Sequence, residues 1–226
     1  MRIIVPVKSF DRAKSRLASV LSADERRALA RIMLVDLLCV LSRVEHASGV
    51  FVISREPAAA ALAAVYGAEF VPEKGEGLCA AVMQGAKLAA ARGESSMLMI
   101  PSDVPLACAA EIDRLILAHP AAPAVSIVSD LEGMGTNAIA CSPPDFMPFL
   151  FGARSFSAHC KEAEVRGAHV NASRLSGLSL DIDTPEDLRR LLTYETETET
   201  LAFLCDRAVA SRLVPRHNGQ RINAMP

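Results

Sequence analysis

The sequence contains no tryptophan, and aromatic residues make up only 4% of its 226 positions. A buried core must therefore be built mainly from aliphatic side chains, which agrees with a hydrophobic fraction of 51%. No uninterrupted apolar run approaches the roughly 18 residues that a membrane span requires, and Met1 leads directly into a strand-like segment, 3–5. We therefore expect neither a membrane anchor nor a signal peptide, and a chain of this length is most simply one α/β domain.

The small net charge and the lack of a cysteine pairing motif exclude further classes of protein. The formal net charge is only -2, so no broad basic surface is expected to hold nucleic acid. The six cysteines are scattered without a Cys-x-x-Cys pair, and the five histidines do not cluster with them. A zinc site or a disulfide framework is therefore not expected, and the expected compartment is the reducing cytoplasm.

Two common nucleotide-binding motifs are missing as well. The chain has no Gly-x-x-x-x-Gly-Lys-Ser/Thr segment, so any triphosphate is not bound by a Walker-type loop. Residues 133–138 formally match Gly-x-Gly-x-x-Ala, but they enter a strand-like run, whereas the dinucleotide-binding fingerprint opens a helix. We therefore do not assign a dinucleotide-binding domain.

Short apolar runs alternate with helix-like segments along most of the chain. This alternation predicts a mostly parallel sheet with helices on both faces, a Rossmann-like α/β sandwich. The predicted strands are 3–7, 50–53, 69–71, 97–100, 124–128, 137–141, 169–171 and 178–182. The predicted helices are 23–43, 57–66, 78–91, 111–118, 155–166 and 185–192. The alternation breaks in the second half, which we interpret as an insertion that closes over the ligand edge of the sheet.

Two aspartates follow segments that predict strands. Asp103 comes after the run Met97–Ile100, and Asp183 comes after Leu178–Ile182 and directly before a Thr-Pro-Glu-Asp helix start. Ligands bind at the carboxyl ends of strands in an open α/β sheet, so the two carboxylates are predicted to meet at one site. Magnesium is usually held by one or two carboxylates together with waters and substrate phosphates. Either aspartate alone could equally cap a turn or a helix, but the pair favours a metal site.

A basic loop follows the first predicted strand. It contains Lys8, Arg12, Lys14 and Arg16 within a short stretch. A solvated loop is the alternative explanation for any one of these side chains. A cluster at the ligand edge favours phosphate binding instead, and we select Lys8, Lys14 and Arg16 as the residues that neutralise and orient a polyphosphate.

Two further segments could hold a second anion. The glycine-rich stretch that ends at Thr136 is either a plain turn or a flexible corner where backbone N–H groups and the Thr136 hydroxyl meet a phosphate or carboxylate. Gly152 and Ser155 stand at a predicted helix start and could hold an anion, although Ser155 could equally be a plain N-cap. His159 lies on the same helix face as Ser155, and a single histidine of this kind is more often structural than catalytic.

Together these segments resemble one known family. The shared motifs are Val-Pro-Val-Lys at 5–8 with Ala-Lys-Ser-Arg-Leu at 13–17, Pro-Ser-Asp-Val-Pro-Leu at 101–106, Gly-Thr-Asn-Ala at 135–138, Phe-Gly at 151–152 with Ser-Phe at 155–156 and His159, and Asp-Ile-Asp-Thr-Pro-Glu-Asp-Leu at 181–188. From Met1 to about Leu192 the chain is similar to the phospho-acid guanylyltransferases of deazaflavin coenzyme F-420 biosynthesis. Five motifs in the same order make the resemblance specific.

The resemblance implies a nucleotide-diphospho-sugar-transferase-like fold of the GT-A type. It also implies an enzyme that transfers GMP from GTP to the phosphate of a three-carbon phospho acid and releases pyrophosphate. Candidate acceptors in the family are 2-phospho-L-lactate, phosphoenolpyruvate and 3-phospho-D-glycerate. The alternatives are a molybdopterin or sugar-phosphate nucleotidyltransferase of the same fold, or a non-catalytic nucleotide-binding protein.

Several site residues follow from the same resemblance. Asp103 and Asp183 fall on the family's Mg²⁺ positions, and Lys8 and Lys14 are expected to act with them in catalysis. The acid-substrate positions fall on Thr136, Gly152 and Ser155, and the nucleotide-binding positions include Lys8, Lys14, Arg16, Gly77 and Leu78. The family commonly has Leu-Asn after the glycine loop, where this chain has Leu78-Cys79.

The composition changes after Thr193. Residues 194–200 alternate glutamate and threonine after a tyrosine and predict a low-complexity connector. We assign 1–193 to a nucleotidyltransferase domain and 194–226 to this connector and a tail of unassigned role. Leu201–Val214 predicts an amphipathic helix that could cover an apolar patch on the same subunit or on a homodimer partner, and Pro215–Pro226 predicts no structure. The residues chosen for that contact are Leu201, Leu204, Ala208 and Leu213.

Overall fold

The computed structural model describes residues 1–213. In this part of the chain, strand β1 (Arg2–Val7) lies inside a seven-stranded sheet. The other strands in that part of the chain are β2 (Gly49–Ser54), β3 (Glu69–Pro72), β4 (Met97–Met99), β5 (Ala124–Ser129), β6 (Thr136–Ser142) and β7 (His169–Ser173). Their order across the sheet is β3-β2-β1-β4-β6-β5-β7. Strand β6 is antiparallel to both neighbours, and the other pairs are parallel. The predicted mostly parallel sheet is therefore confirmed.

Helices cover both faces of this sheet. They are α1 (Ala23–Leu41), α2 (Pro57–Val65), α3 (Leu78–Ala91), α4 (Ala109–Leu117), α5 (Ser155–Val165), α6 (Ser176–Ser179), α7 (Pro185–Leu191), α8 (Glu199–Asp206) and α9 (Val209–Leu213). On one face, Ile3, Val5 and Val7 share an apolar cluster with residues of α1, α2 and α4. On the other face, Ile4 shares a cluster with residues of α3 and α5. Successive side chains of a strand point to opposite faces, so β1 contributes side chains to the apolar clusters on both faces of the sheet.

Two local features set the position of helices on this sheet. The Ser22 side chain accepts from the Glu25 backbone N–H and the Glu25 side chain accepts from the Ser22 backbone N–H, so α1 starts with the capping box that the sequence predicts. Gly85 of α3 lies so close to β1 that an added Cβ would be 2.7 Å from a side-chain carbon of Ile4. Glycine at this position therefore permits the close approach of α3 to the sheet.

Two predictions about the sheet are wrong. Residues 178–182 do not form a strand, because Ser176–Ser179 is the short helix α6 and residues 180–183 have no regular secondary structure. The second half of the chain is not an insertion over the ligand edge, because β5, β6 and β7 extend the same sheet. Leu178, Leu180 and Ile182 are nevertheless buried, and this burial explains the strand-like apolar pattern.

The C-terminal segment packs against its own chain. Leu201 and Leu204 of α8 and Val209 and Leu213 of α9 are buried in a third apolar cluster, which also contains residues of α1 and α7. The helix predicted over Leu201–Val214 is interrupted at Ala208, whose φ is +48°. Ala208 is exposed, and Val209 makes the buried contact instead. Val214 and the predicted unstructured segment Pro215–Pro226 lie outside the described residues.

Within residues 1–213, no helix combines the length and the apolar character needed to cross a bilayer.

Candidate active site

A cleft of about 1000 Å³ opens at the carboxyl ends of β1 and β4. Its walls come from the end of β1 and the basic loop, from the glycine loop before α3, and from the segment after β4. The predicted nucleotide-binding and metal-binding residues all line it, namely Lys8, Lys14, Arg16, Gly77, Leu78, Asp103 and Asp183. The carboxyl edge of the sheet therefore carries the cleft, as expected for an open α/β sheet.

Lys14 joins the two aspartates in this cleft. Its Nζ donates to Oδ2 of Asp103 at 2.5 Å and to Oδ1 of Asp183 at 3.0 Å. The Lys14 side chain is only 7% exposed, so its ion pairs are largely protected from screening by salt. The Lys14 backbone is left-handed, with φ of +55° and ψ of +35°, which costs a non-glycine residue roughly 1–2 kcal/mol. Local strain of this kind is concentrated at functional sites.

Backbone hydrogen bonds hold the two aspartates in place. The N–H of Ile182 donates to the carbonyl oxygen of Asp103 at 3.0 Å, which joins the two segments directly. Oδ2 of Asp187 accepts from the N–H of Asp183 at 3.1 Å and from the N–H of Thr184 at 2.7 Å. The structure thus brings Asp103 and Asp183 together, as the sequence predicts, although Asp183 follows an irregular segment and not a strand.

The charges around Lys14 favour the ionised forms of both Lys14 and Asp183. Burial acts to lower the pKa of Lys14, but the negative charges of Asp103 and Asp183 outweigh burial, and the pKa is raised. Burial acts to raise the pKa of Asp183, but the positive charge of Lys14, with smaller effects of Arg16 and Lys8, lowers the pKa instead. The ammonium of Lys14 and the carboxylate of Asp183 are therefore both charged at neutral pH.

Asp181 is an acidic residue of the site that the sequence prediction did not select. Burial raises its pKa to about 6, and the negative charges of Asp103 and Asp183 add to the effect of burial. Asn137 donates through Nδ2 to Oδ1 of Asp181 at 3.0 Å. Asn137 follows Thr136 in β6, so this bond connects the aspartate pair to the predicted acid-substrate residues. The Asp-x-Asp spacing at 181–183 is the only sequence signal for Asp181.

Arg55 and Gln84 hold the glycine loop, residues 73–77, and neither residue was selected from the sequence. Arg55 donates to two carbonyl oxygens of this loop, and Gln84 makes two hydrogen bonds of 2.8 Å to the backbone at its start. Gly77 is the N-cap residue directly before α3, with a φ of +83° and no side-chain cap. The first backbone N–H groups of α3, from Leu78 onward, can therefore meet a phosphate. Cys79, the departure from the family pattern, is exposed.

Lys8 and Arg16 stand at the exposed rim of the cleft. The Arg16 side chain is 73% exposed, and its Nη1 lies 3.8 Å from Oδ2 of Asp183. Lys8 is exposed as well. Exposed ion pairs contribute little stability, so Arg16 can turn towards a phosphate at low cost.

The predicted acid-substrate residues Thr136, Gly152 and Ser155, here called the acid group, lie together but are not among the described residues that line the cleft. The N–H of Ser155 donates to the carbonyl oxygen of Gly152 at 3.1 Å. Oγ1 of Thr136 is 3.0 Å from Nδ1 of His159, which lies on the same helix as Ser155. The structure therefore assembles the acid group as one unit, and its role in binding stays a prediction.

Asp130 shapes the loop that leads into Thr136. Its two carboxylate oxygens accept from the N–H of Met134 at 2.8 Å and from the N–H of Gly135 at 2.7 Å. A Cβ at Gly135 would lie 2.5 Å from Oδ2 of Asp130, so a larger residue would displace this carboxylate from its two hydrogen bonds. The carbonyl oxygen of Met134 accepts from the N–H of Phe156 at 3.1 Å. The loop is thereby tied to the start of α5, beside Ser155.

Asp103 and Asp183 are the residues that could hold a metal ion. Within residues 1–213, no group of three or more His, Cys, Asp or Glu side chains is arranged as a metal site. The described residues therefore offer no cage made entirely of protein ligands. Two adjacent carboxylates match Mg²⁺, which binds hard oxygen ligands and completes its shell with waters and substrate phosphates. The carboxylates of Asp103 and Asp183, which Lys14 bridges, are therefore suitable ligands for magnesium.

The chain is similar to known guanylyltransferases over most of its length. A family model described as "Guanylyl transferase CofC like" matches residues 1–222. The phosphoenolpyruvate guanylyltransferase of Sphaerobacter thermophilus is 38% identical over 188 residues, which are 83% of this chain and 90% of that protein. The 3-phospho-D-glycerate guanylyltransferase of Colwellia psychrerythraea is 32% identical over 207 residues, 91% of this chain and 98% of that protein. The 2-phospho-L-lactate guanylyltransferase of Methanothermobacter thermautotrophicus is 33% identical over 201 residues, 89% of this chain and 88% of that protein.

The fold also matches a solved structure. A protein of Desulfovibrio desulfuricans assigned to the nucleotide-diphospho-sugar transferases superposes with a TM-score of 0.76 and 18% identity, covering 94% of this chain and 97% of that chain. This match confirms the predicted nucleotide-diphospho-sugar-transferase-like fold. The family model spans nearly the whole sequence, and three relatives exceed 30% identity over most of both lengths. The chain therefore belongs to the guanylyl transferase CofC-like family.

Proposed function

We propose that this protein transfers GMP from GTP to the phosphate of a three-carbon phospho acid and releases pyrophosphate. The observation that carries the proposal is the bridge from the buried Lys14 ammonium to Asp103 and Asp183 at the sheet edge. It places a fixed cation and two hard carboxylates in a cleft with a basic rim and an uncapped helix start. The family match and the names of the three relatives support the guanylyl donor and the class of acceptor.

GTP is proposed to bind in the cleft. A volume of about 1000 Å³ is at the upper end of the range for small-molecule sites and accommodates a nucleoside triphosphate. Lys8, Lys14 and Arg16 would neutralise the phosphates, and the N–H groups at the start of α3, beside Gly77 and Leu78, would bind phosphate oxygens. We assign the choice of guanine mainly to backbone groups of residues 72–78.

The acceptor phosphate supplies the nucleophile in this proposal. One of its oxygens is anionic at neutral pH, so attack on the α-phosphorus of GTP requires no general base. The new bond joins that oxygen to the α-phosphorus, and the bond from the α-phosphorus to the oxygen that bridges to the β-phosphorus breaks. The electron pair leaves with pyrophosphate. Repulsion between the two anions is the main barrier, and the fixed charge of Lys14 lowers it without reorganisation.

Asp103 and Asp183 have two tasks in this proposal. They keep Lys14 protonated and oriented, as the hydrogen bonds show for the chain alone. They are also proposed to hold Mg²⁺, which when bound would neutralise charge on phosphate oxygens as a Lewis acid. Both tasks depend on carboxylate charge, because an amide would neither attract the ammonium as strongly nor bind a hard cation as well.

The acid group is proposed to bind the carboxylate end or the phosphate of the acceptor. Thr136 and Ser155 carry hydroxyl donors, and Gly152 and Ser155 contribute backbone at the start of α5. Phosphoenolpyruvate is the acceptor that we place first. The relative named for it is 38% identical to this chain, whereas those named for 3-phospho-D-glycerate and 2-phospho-L-lactate are 32% and 33% identical.

The proposal is tested by measuring pyrophosphate release from one nucleoside triphosphate and one acceptor at a time, with mass spectrometry of the product. We expect the fastest turnover with GTP and phosphoenolpyruvate, slower turnover with ATP, CTP and UTP, and none after magnesium is removed with EDTA until magnesium is added back. Transfer to a sugar phosphate or to molybdopterin, but not to any of the three phospho acids, would assign a different nucleotidyltransferase activity. GTP binding without turnover of any acceptor would contradict the proposal.

Removing a hydroxyl of the acid group should weaken acceptor binding selectively. Thr136→Val and Ser155→Ala each delete one hydrogen bond to a charged ligand, which is worth about 1.5–3 kcal/mol and corresponds to a rise of roughly 10- to 150-fold in the acceptor KM. The KM for GTP should stay unchanged. Thr136→Ser keeps the hydroxyl and serves as the matched control. If the KM for GTP rises and the acceptor KM does not, the two binding sites are assigned the wrong way round.

A further inference from the structure

We propose that His159 is a positioning residue of the acceptor site, which fixes the hydroxyl of Thr136 as a hydrogen-bond donor to the bound phospho acid. This inference rests on the proposed function, because it takes Thr136 to contact the acceptor. His159 is joined to two of the three segments that carry the acid group and belongs to the third. It contacts Thr136 in β6 and the backbone of Leu150 near Gly152, and it lies on α5, which begins at Ser155.

The hydrogen bonds of His159 determine which ring nitrogen carries the proton. The backbone N–H of Leu150 lies 2.7 Å from Nε2 of His159. A backbone N–H can only donate, so Nε2 must be the unprotonated nitrogen that accepts this bond. In the neutral imidazole the proton is then on Nδ1, which lies 3.0 Å from Oγ1 of Thr136. Nδ1 therefore donates, and Oγ1 of Thr136 accepts.

The surroundings of His159 keep its ring neutral. The side chain is 0% exposed, and the rings of Phe149 and Phe151 meet it edge-on at centroid distances of 6.4 and 5.0 Å. Burial lowers the pKa of His159 to about 4, so the imidazole is uncharged at neutral pH. A charged ring would also carry a proton on Nε2 and could not accept from Leu150.

The direction of the bond from His159 decides what Thr136 can offer to a ligand. A threonine hydroxyl has one proton and two lone pairs. Because Oγ1 accepts from Nδ1, its own proton is left for another acceptor, and within residues 1–213 Oγ1 makes no second side-chain hydrogen bond. Phosphate and ionised carboxylate oxygens accept hydrogen bonds and do not donate. His159 thus orients the Thr136 hydroxyl as a donor before an anion binds, so binding does not have to include the cost of reorienting this hydroxyl.

Two substitutions separate the two bonds of His159. In His159→Asn the side-chain amide takes the place of Nδ1 and can still donate to Thr136, but the bond to Leu150 is lost. In His159→Gln the amide reaches the place of Nε2 and can still accept from Leu150, but the donor to Thr136 is lost. We expect His159→Gln to raise the acceptor KM roughly five- to tenfold, with kcat and the KM for GTP unchanged. His159→Asn should keep the acceptor KM near that of the wild type.

A double-mutant cycle with Thr136→Val tests whether His159 acts through Thr136. We expect His159→Gln to add nothing to the acceptor KM once the Thr136 hydroxyl is absent. An equal rise in both backgrounds, or equal effects of His159→Asn and His159→Gln, would overturn the proposal and leave His159 a structural residue. If Thr136→Val itself leaves the acceptor KM unchanged, the acceptor-site assignment in the proposed function fails; if only His159→Gln has no effect, that assignment stands and this inference fails.

The tautomer of His159 can be determined by NMR, without an activity assay. Long-range ¹H–¹⁵N correlation spectra of the labelled full-length protein at neutral pH distinguish protonated from unprotonated ring nitrogens. The His159 signals are identified by their loss in His159→Asn. We expect a protonated Nδ1 and an unprotonated Nε2. A protonated Nε2 would overturn the proposal, even if the substitutions lower acceptor affinity for another reason.

Discussion

Asp103→Asn and Asp183→Asn are each expected to slow guanylyl transfer by at least about 100-fold, the scale on which removal of one preorganised electrostatic group acts. Each variant keeps the size of the side chain but removes a negative charge that holds Lys14 and would hold Mg²⁺. The measurement is pyrophosphate release at saturating GTP and acceptor. The magnesium concentration needed for half-maximal rate should rise in both variants, since one of two hard oxygen ligands is weakened.

Asp11→Asn provides a matched control for these variants. Asp11 also lines the cleft, but its carboxylate pairs with Arg27 at 2.5 Å and not with Lys14. Its turnover should remain close to that of the wild type, which excludes a general effect of lost negative charge. Lys14 retains one aspartate in each test variant, so the folded state should persist, and circular dichroism checks this. Near-wild-type rates for Asp103→Asn or Asp183→Asn would disprove the assignment of that residue.

The half of the site around Lys14 and Asp103 could be predicted because local patterns and sheet rules agree there. The runs Ile3–Val7 and Met97–Ile100 are short and apolar, as expected of buried strands. Strands β1 and β4 are parallel neighbours, paired from Arg2 with Met97 onward. Their carboxyl ends therefore meet, and the residues that follow them share one edge.

The segment before Asp183 could not be predicted correctly from its pattern. Leu178, Leu180 and Ile182 are apolar and buried, and an apolar run predicts burial without specifying a hydrogen-bonded partner strand. In the structure the N–H of Ile182 bonds to the carbonyl oxygen of Asp103. This long-range bond, together with the bonds of Asp183 to Asp187 and Lys14, positions Asp183 without a strand. The sequence therefore predicted correctly that the carboxylates of Asp103 and Asp183 lie together. The strand that was predicted to bring Asp183 there does not form.

The residues missed in the site act through contacts between distant parts of the chain. Arg55 reaches the glycine loop about twenty positions away, and Asn137 reaches Asp181 across 44 positions. Neither residue belongs to a local motif that predicts its partner. The antiparallel direction of β6 was missed for a related reason, because every residue of β5 and β6 is buried. Strands buried on both faces carry no alternation from which direction or neighbours can be inferred.

Deleting residues 195–226 is expected to have the largest effect on stability. The deletion removes Leu201, Leu204, Val209 and Leu213, whose side chains are 8%, 0%, 0% and 4% exposed. Burial of each such side chain contributes about 1.5–3 kcal/mol, of which the ordering of the tail offsets a part. The deletion also exposes the apolar residues of α1 and α7 that the tail covers, and a typical domain is stable by only about 5–15 kcal/mol. We expect most of the truncated protein to be unfolded or aggregated at 37 °C, as measured by circular dichroism and size-exclusion chromatography.

Leu204→Ala tests the same contact within a protein that still folds. Truncation of a fully buried leucine should lower the free energy of unfolding by about 2–5 kcal/mol, measured by urea denaturation. Cys205→Ser changes the next residue, which is exposed, and should stay within about 0.5 kcal/mol of the wild type. Turnover per folded molecule should be unchanged in both variants, because none of the four buried tail side chains lines the cleft.

An unfolding free energy of Leu204→Ala equal to that of the wild type would mean that α8 does not pack on α1 in solution. A collapse of turnover with unchanged unfolding would mean that the tail reaches the active site.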